Sequence, residues 1–506
     1  MFKLIPARTF SPQALSPWVR NVWAVARFVL LVAGYFVVVR LAYASAFNAA
    51  FGLDDPRLFV ILDGIKDDPI AALTASLPFN RLRPLSDFAY WSAFRVVGFN
   101  FNAWLTLGLL VWSVTCAVFT TFIAKMSKSW ILSIGLGLLL LSSRFAFYQV
   151  TNVTGLMENI AALELVVFVI LLWSYFRTGG SNRYFWGSLV VLLCLVCTHE
   201  RFQGLTLVLL VIAVFHPAGQ PVNLRIARAL STLVPGLLLT GAKLAVWTMP
   251  LFVGTGSTSE LGFSWGAMRD HLLATGLNLV GVNWGPAYLV GQPFEAHPQW
   301  LQVMVGVHAV ALVLVGIVVT IGFRRTNREK QLSELFPQSV NSYLTPILLG
   351  LLLVALIIPV VITIRIEQRW LLTPFIVVLF CVAQFPRVLD RFRAPVKVIT
   401  NAAVVLFVGT GLIANALYFQ EMKALFFIGH QSLATVNTMV ANNAVENNTL
   451  SVSEDCAAPT TTPYLDDLLF ANNGGKRITI TCVGLTPPAG TTFVKMADDG
   501  FLQKFG

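Results

Sequence analysis

Long apolar runs are the feature that most constrains how this 506-residue chain can fold. An α-helix needs about 20 mostly apolar residues to cross the hydrocarbon core of a bilayer, and we count about eleven runs of that kind. With 56% hydrophobic and only 12% charged residues, the composition is one that soluble globular proteins rarely show. The predicted spans are 28–46, 103–124, 130–147, 160–176, 184–198, 203–217, 229–252, 301–323, 344–363, 370–385 and 397–417.

The basic residues predict the orientation of these spans. The net charge is +11, but the basic side chains sit in every second short loop, a distribution typical of cytoplasmic loops rather than of a nucleic-acid surface. This places the N-terminus inside, the C-terminal tail outside, and no nucleic acid among the partners. The basic groups are Lys3, Arg8 and Arg20; Lys125 and Lys128; Arg177 and Arg183; Arg225 and Arg228; Arg324, Arg325, Arg328 and Lys330; and Arg387, Arg391, Arg393 and Lys397.

A cleaved signal peptide is the alternative interpretation of the N-terminus. The small residues Ala42, Ala44 and Ala46 follow the first apolar stretch, as they do at a cleavage site. That stretch is long for the hydrophobic region of a signal peptide, which favours an uncleaved helix.

The chain divides into an all-α membrane part, 1–417, and a polar tail, 418–506. The membrane part carries two long outer loops, 47–102 and 253–300. Short runs typical of β-strands in the tail, bounded by glycine and proline pairs, predict a small α/β or mostly β extracytoplasmic domain.

Two of the six cysteines, Cys456 and Cys482, fall in the tail. Disulfides form in oxidising compartments outside the cytoplasm, so we predict a Cys456–Cys482 disulfide. The other four lie in apolar spans, where a cysteine is usually a small buried hydrophobe.

Two adjacent carboxylates, Asp54 and Asp55, open the first outer loop directly before Pro56. A helix cap is one interpretation, since Asp before Pro is common at helix starts. Adjacent carboxylates near a lipid boundary also raise each other's pKa, which suits one of them to act as a general base. The sequence leaves both roles open, including one residue capping while the other reacts.

Arginines on the outer side break the positive-inside pattern and therefore need partners, either phosphate or carboxylate. Arg81 and Arg83 close the first outer loop. Two short outer connections each combine a glutamate with arginine, and a third is bracketed by Arg144 and Glu158, while Glu164 and Lys243 lie within spans, where charge usually faces a cavity. The residues of the two connections are Glu200 and Arg201, and Arg365, Glu367 and Arg369.

The six histidines show no dense metal-ligand spacing, so we expect no histidine metal site. Carboxylates remain able to hold a hard cation such as Mg²⁺ or Mn²⁺. The chain has neither a phosphate-binding glycine loop of the Walker type nor a dinucleotide glycine fingerprint, so a membrane-dissolved donor fits better than a nucleotide.

In order along roughly 20–385, these motifs resemble the GT-C glycosyltransferases, multi-pass enzymes that use polyprenyl-phosphate-linked sugars. The likeness is greatest to the branch that includes the protein O-mannosyltransferases and bacterial lipid-sugar transferases. The residues that carry it are Asp54-Asp55, Arg83-Pro84-Leu85, Glu200, and the run Glu367, Arg369, Trp370, Leu371 and Pro374.

The resemblance implies an inverting transfer of a hexose or pentose to an acceptor hydroxyl on a glycan, lipid or protein, outside a bacterial inner membrane. Asp54 or Asp55 would be the base. Arginines placed beforehand would stabilise the leaving lipid phosphate, with Glu200, Glu367, Arg144 and Glu158 in support. The expected phosphate-binding arginines are Arg83, Arg201, Arg365 and Arg369.

Other functions remain open. A transporter or flippase of lipid-linked oligosaccharide predicts charges through the full depth of the membrane. An envelope polysaccharide polymerase or ligase would depend on a late outer loop, and loop 253–300 carries Arg269, Asp270, His271 and Glu295. A scaffold without catalysis would leave the outer charges unexplained.

Overall fold

A computed structural model of the chain shows a helical body with a small sheet near the C-terminus. The all-α character of the membrane part is confirmed. The residues described are 17–52, 54–77, 81–215, 221–246, 264–284, 293–333, 340–363, 366–389, 392–421, 449–454, 462–486, 493–496 and 502–505.

The α-helices are numbered in chain order over the described residues. Short 3₁₀ segments connect several of them, namely Ala44–Asn48, Arg144–Ala146, Val153–Gly155, Glu200–Gly204, Phe294–Ala296 and Gln368–Leu371. The α-helices are α1 Pro17–Ala42, α2 Asp55–Gly64, α3 Pro69–Ala72, α4 Pro84–Val97, α5 Phe101–Ser127, α6 Trp130–Leu141, α7 Phe147–Thr151, α8 Leu156–Arg177, α9 Asn182–Thr198, α10 Leu205–Phe215, α11 Val222–Val246, α12 Trp265–Val280, α13 Gln299–Ser333, α14 Val340–Val361, α15 Leu372–Val382, α16 Phe385–Leu389, α17 Ala394–Glu421 and α18 Thr462–Asn472.

Six helical segments of the described chain are long and apolar enough to cross a membrane. Trp130–Leu141 and Arg144–Thr151, which meet at a 44° bend, make a seventh if they form one span. Shorter apolar helices cover Asn182–Thr198, Leu348–Val361 and Gln368–Val382. A multi-pass membrane protein is thus confirmed, whereas the count of eleven and the orientation stay predictions. The six segments are Asn21–Ala42, Phe101–Ser127, Val153–Arg177, Val222–Ala242, Gln299–Gly322 and Ala394–Leu417.

The turn between α5 and α6 is set by local capping. Asn100 caps the start of α5, its Oδ1 accepting a hydrogen bond from the Ala103 N–H at 3.1 Å. The helix ends at Lys128, which adopts a left-handed conformation with φ 60°. Ser129 then caps α6 by accepting from the Leu132 N–H at 3.3 Å. Because Ser129 satisfies an N–H group that a helix start leaves free, α6 can begin directly after the left-handed residue that ends α5.

α5 and α8 form the centre of the helical body. Their membrane-length segments are 67% and 61% buried, against 11% for α1 and 28% for both α13 and α17. α1 and α6 pack on α5, α9 packs on α8, and α17 packs on α13. The outer helices leave apolar side chains such as Val29, Leu30 and Val310 exposed, as helices that contact lipid do.

One basic residue predicted to orient the chain is fully buried. Arg228 of α11 donates to the Tyr175 hydroxyl at 3.0 Å and to the Gly180 carbonyl oxygen at 3.2 Å, and it also bonds to Asn182. Its guanidinium lies over the rings of Tyr175 and Phe185. Arg228 therefore fastens α11 to the turn between α8 and α9.

The tail forms a four-stranded sheet in the order β2-β1-β3-β4, packed against α18. The strands are β1 Thr449–Val452, β2 Thr479–Cys482, β3 Phe493–Met496 and β4 Leu502–Phe505. β1 pairs in parallel with both β2 and β3, whereas β3 and β4 are antiparallel. The described tail therefore combines helix and strand, and its boundary at 418 and its outer location stay predictions. Its small core contains Leu450, Val452, Leu465, Leu468, Leu469 and Ile478.

Cys482, at the end of β2, is disulfide-bonded. The proposed partner, Cys456, lies outside the described residues. Cys116, Cys194, Cys197 and Cys381 are free thiols in apolar helices. Cys116 is buried, as expected, whereas the other three are half-buried.

The tail packs on the first outer loop. α18 lies against α2, and Phe470 meets the ring of Phe99 edge-on with ring centroids 5.6 Å apart. Directly after α18, Gly475 has a φ of +81° and faces the same ring. A Cβ at this position would lie 2.7 Å from a ring carbon of Phe99. The close approach of the tail to Phe99 therefore requires a glycine here.

We expect Gly475→Ala to loosen this joint, and Gly474→Ala is the matched control. Both glycines have positive φ, but no atom lies within 4 Å of a Cβ added at Gly474. Both variants carry a backbone cost of about 1–2 kcal/mol, and Gly475→Ala adds about 1–3 kcal/mol for the clash. Thermal unfolding in detergent measures the difference; equal losses in the two variants would contradict the close packing on Phe99.

Candidate functional site

Asp55 anchors the first outer loop to the start of α8. Its side chain is buried, and its two carboxylate oxygens accept hydrogen bonds from the N–H groups of Val153, at 3.1 Å, and Thr154, at 2.9 Å. Burial raises the pKa of Asp55 to about 7, although the two N–H donors act in the opposite direction. Asp55 is thus held as a structural acceptor rather than offered to a ligand.

Asp54 lies next to Asp55 but faces outward. It occupies the position before α2, yet its carboxylate makes no capping hydrogen bond. Among the residues that the structure describes, no group bonds to the Asp54 carboxylate, and the residue is exposed. Neither aspartate therefore caps α2, and Asp54 is the carboxylate available for chemistry.

The segment Val153–Gly155 is the platform on which three outer elements meet. Besides the carboxylate of Asp55, it receives the hydroxyl of Tyr90, which donates to the Thr154 carbonyl oxygen at 2.5 Å. The hydroxyl of Tyr148 lies 2.6 Å from the Thr154 hydroxyl. Gly155 must be glycine, because an added Cβ would lie 2.4 Å from the Gln149 backbone. These contacts fix α2, α4 and α7 relative to α8.

Arg83 forms a two-point ion pair with Glu200. Its Nε donates to one carboxylate oxygen at 2.7 Å and its Nη2 to the other at 2.8 Å. Burial disfavours the charge of Arg83, but the charge of Glu200 outweighs it and the pKa of Arg83 is raised. Burial would likewise raise the pKa of Glu200, but Arg83 holds it well below its usual range. Both groups are therefore charged and satisfied by each other.

His199 completes this pair as a neutral ring. Burial and the charge of Arg83 lower its pKa well below the usual value. Its Nε2 lies 3.2 Å from Nη2 of Arg83, and its Nδ1 lies 3.3 Å from the backbone nitrogen of Arg201 and 3.6 Å from a carboxylate oxygen of Glu200. Both ring nitrogens therefore face an N–H donor, and a neutral ring can accept from only one of them.

Arg201 and Arg369 also have carboxylate partners. Both terminal nitrogens of Arg201 bond to Glu158, one at 3.1 Å. Arg369 forms an ion pair with Glu367 and lies over the Tyr148 ring, 4.1 Å from its centroid. Of the four predicted phosphate-binding arginines, the three described ones are thus paired with glutamates, and Arg365 lies outside the described residues.

Arg81 differs from the neighbouring arginines because it has no carboxylate partner among the described residues. The sequence alone could not distinguish it from Arg83 in this respect. No carboxylate of the described chain lies within ion-pair distance of its guanidinium, and its Nε is buried without a hydrogen-bond partner. Burial and the nearby charges of Arg83 and Arg369 lower its pKa, whereas Glu200 and Asp54 raise it. Arg81 is therefore close to Asp54 and to the paired arginines, with hydrogen-bonding capacity to spare.

Asp87 is a second buried carboxylate, and it belongs to none of the sequence motifs described above. It accepts from the backbone N–H of Ser76 at 3.0 Å and from the Ser76 hydroxyl. Burial raises its pKa to about 7, while the bonds to Ser76 act against this. Asp87 thereby ties α4 to the segment that follows α3.

Arg144 contributes to packing between helices. It donates to the carbonyl oxygens of Asn278 and Asn283, and its guanidinium lies between the rings of Phe145 and Trp284. It thus connects the bend after α6 to the end of α12. Its predicted supporting role in the site stays untested.

The carboxylates at the site do not fit a divalent cation. Mg²⁺ and Mn²⁺ take several oxygen ligands, but Glu158, Glu200 and Glu367 are each engaged by an arginine. No group of three or more potential ligand side chains occurs among the described residues. The divalent cation that the sequence left open therefore has no set of ligands among these three glutamates.

Comparison of the chain with protein-family models, with curated proteins and with solved structures finds no match. The site must accordingly be interpreted from its own geometry. Among the described residues, that geometry comprises three arginine–glutamate pairs, one arginine without a carboxylate partner, Arg81, and the exposed Asp54.

The raised pKa of Asp87 predicts how stability depends on pH. The carboxyl ionises near pH 7 in the folded protein, against an ordinary value of 3.8, so the unfolded chain loses this proton first. Its contribution to stability is complete below about pH 4 and is lost as the pH rises through 7, by up to about 1.4 kcal/mol per pH unit. Asp87→Asn should flatten this decline.

Denaturant unfolding in detergent between pH 4.5 and pH 7 measures the slope. Asp55→Asn should also flatten the decline, because the pKa of Asp55 is raised to about 7 as well. It should in addition lower stability at every pH by about 1–3 kcal/mol, since an amide leaves one buried N–H without an acceptor. An unchanged slope in both variants would overturn the assignment of these buried carboxyls.

Proposed function

We propose that this protein is an inverting glycosyltransferase that moves a sugar from a polyprenyl-phosphate donor to an acceptor hydroxyl, at the outer face of a bacterial inner membrane. The acceptor is a glycan, lipid or protein of the cell envelope. The observation that carries the proposal is the charge left over among the described residues of the site after ion pairing. It consists of one arginine, Arg81, and one exposed aspartate, Asp54, whose charge acts on Arg81.

The leaving group explains the arginine. A lipid phosphate that departs from an anomeric carbon gains negative charge, and a donor placed beforehand stabilises it in the transition state. Arg81 offers planar N–H donors suited to phosphate oxygens, and no described carboxylate competes for them. We therefore assign phosphate recognition to Arg81 ahead of Arg83.

The attacking group explains the aspartate. The carboxylate of Asp54 takes the proton of the acceptor hydroxyl as its oxygen forms a bond to the anomeric carbon. The bond between that carbon and the phosphate oxygen breaks, and its electron pair leaves on the phosphate. A single displacement of this kind inverts the anomeric configuration. In this proposal Asp55 does not react but holds Asp54 in place through its bonds to Val153 and Thr154.

The paired arginines contribute to the electrostatic field at the site. Arg83, Arg201 and Arg369 are close enough that their charges act on one another or on Arg81. Each pair is neutral as a whole, so the field at the site is governed by what remains unpaired. Fixed dipoles and charges of this kind do not need to reorganise during a reaction.

A lipid-linked donor agrees with the apolar surface beside the site. Ile70 of α3, Phe88 of α4 and Val96 of α4 are exposed in the outer loop. Exposed apolar side chains next to a polar site suit a substrate that has a hydrocarbon tail and a charged head. The basic turn after α5 agrees with an inner position for that end of the helix.

Asp54→Asn is expected to abolish catalysis without abolishing donor binding. Loss of a general base typically slows the chemical step by about 10²–10⁴-fold, while Arg81 remains to hold the phosphate. Sugar transfer from a panel of polyprenyl-phosphate sugars and donor binding would be measured on purified protein. Asp67→Asn is the control, because Asp67 is an exposed carboxylate that pairs with Arg95. If no donor supports transfer, the glycosyltransferase proposal fails and a transporter, with Glu164 inside α8 as its candidate residue, becomes the better hypothesis.

Arg81→Met is expected to weaken donor binding. A hydrogen bond to a charged group contributes about 1.5–3 kcal/mol, so the Kd of the donor should rise by about 10- to 150-fold. The uncharged, dephosphorylated polyprenol should bind the parent and the variant alike. Arg95→Met is the matched control, because Arg95 is an exposed outer arginine with its own carboxylate, Asp67. Equal effects of the two substitutions would refute phosphate recognition by Arg81.

A further inference from the structure

The tail contacts the chain three residues before Asp54. The side-chain oxygen of Asn472, the last residue of α18, accepts from the Phe51 N–H at 3.0 Å. The amide nitrogen of Asn472 donates to the Phe51 carbonyl oxygen at 3.2 Å and to the Leu468 carbonyl oxygen at 2.9 Å. The Asn472 side chain therefore bonds to both the N–H and the C=O of Phe51, which lies 421 residues earlier in the sequence.

An asparagine suits this position for a physical reason. Phe51 lies in an irregular segment before α2 and is 1% exposed, so its N–H and C=O need partners inside the protein. A primary amide is a side chain that carries a donor and an acceptor at the right separation to satisfy both. Alanine would satisfy neither, and aspartate could accept from the N–H but not donate to the carbonyl.

α18 uses two faces. Leu465, Leu468 and Leu469 pack on the sheet of the tail. The opposite face carries Ala471, which is fully buried in a cluster with Phe51 and Phe59 of the outer loop and with side chains of α4 and α5. An ion pair between Asp467 and Arg57 adds to the contact at 3.2 Å. The helix thus joins the tail to the loop that carries the two aspartates.

The turn that bears Asp54 is consequently held at both ends. Asn472 holds Phe51 on one side, and the carboxylate of Asp55 holds the platform Val153–Gly155 on the other. Between them the Asp55 N–H donates to the Gly52 carbonyl oxygen at 3.2 Å. The direction of the Asp54 side chain depends on these two attachments, because no described group bonds to the side chain itself.

We infer that the C-terminal tail positions the Asp54 turn and that Asn472 is the positioning residue through which it acts. Asn472 acts through the backbone of Phe51, to which its side chain is bonded, and thereby fixes the segment that presents Asp54. The effect on sugar transfer rests on the function proposed above, whereas the effect on the turn does not.

The first test reads the turn itself in the full chain and needs no substrate. A nitroxide spin label on Asp54→Cys reports local mobility, and the labelled parent, whose free cysteines lie in apolar helices, supplies the background spectrum. Adding Asn472→Ala should sharpen the spectrum of the label at position 54. Adding Asn473→Ala should not, because the Asn473 side chain bonds to the Lys476 carbonyl oxygen within its own turn. Equal spectra for the two substitutions would overturn the inference.

The second test reads catalysis in chains with Asp54 intact. Asn472→Ala should lower kcat by about tenfold or more, since small misplacements of a reacting group are costly, while KM for the donor changes less than about twofold. Asn472→Asp should recover part of the loss, because it retains the bond to the Phe51 N–H. A purely structural role for Asn472 predicts instead a lower thermal stability with kcat unchanged among the folded molecules, and that result would contradict positioning.

The two tests separate the two proposals. If the parent transfers no sugar, the proposed function fails and the spin label alone decides whether the tail positions the turn. If the parent transfers sugar and neither kcat nor label mobility responds to Asn472→Ala, the positioning role is wrong while the glycosyltransferase proposal stands.

Discussion

The two hydrogen bonds from backbone N–H groups to the Asp55 carboxylate are the interactions on which the candidate site depends. They join the first outer loop to the start of α8, the helix at the centre of the body. Through Thr154 the same platform holds Tyr90 and Tyr148. Removing the carboxylate would leave two buried donors unsatisfied, at a cost of about 1–3 kcal/mol each, and would release the turn that presents Asp54.

Ion pairing then decides which charges are available for function. Three buried arginine–glutamate pairs contribute little net stability, because the cost of removing both charges from water offsets their attraction. Their geometry nonetheless leaves Arg81 and Asp54 as the unpaired charges of the described cluster. Stability alone does not explain why several such pairs are close together. The binding of an anionic ligand would explain it better.

The sequence predicted the all-α membrane part, and it drew attention to most of the carboxylates and arginines that the fold brings together, because apolar length and charge placement are local properties. It could not predict the pairs. Arg83 meets Glu200 across 117 residues, and only packing of α4 against α9 brings them together. Nor could it separate Asp54 from Asp55: the two are adjacent, and the direction in which α2 enters the fold buries one and exposes the other. The role of Asn472 could not be predicted either, because its side chain bonds to backbone groups of Phe51, which any residue would carry.

The depth of the charges bears on the choice between transfer and transport. Glu158 and Glu164 are both on α8, and at about 1.5 Å per residue Glu164 lies roughly 9 Å deeper. Beyond it, α8 is closed by buried apolar side chains such as Leu165 and Leu172, and at the far end the buried Arg228 is bonded to Tyr175 and Gly180. Between Glu164 and Ser174, α8 therefore carries only apolar side chains. A substrate that reacts at the outer face is compatible with that arrangement, whereas one that crosses the membrane would need a polar route through α8 and its neighbours.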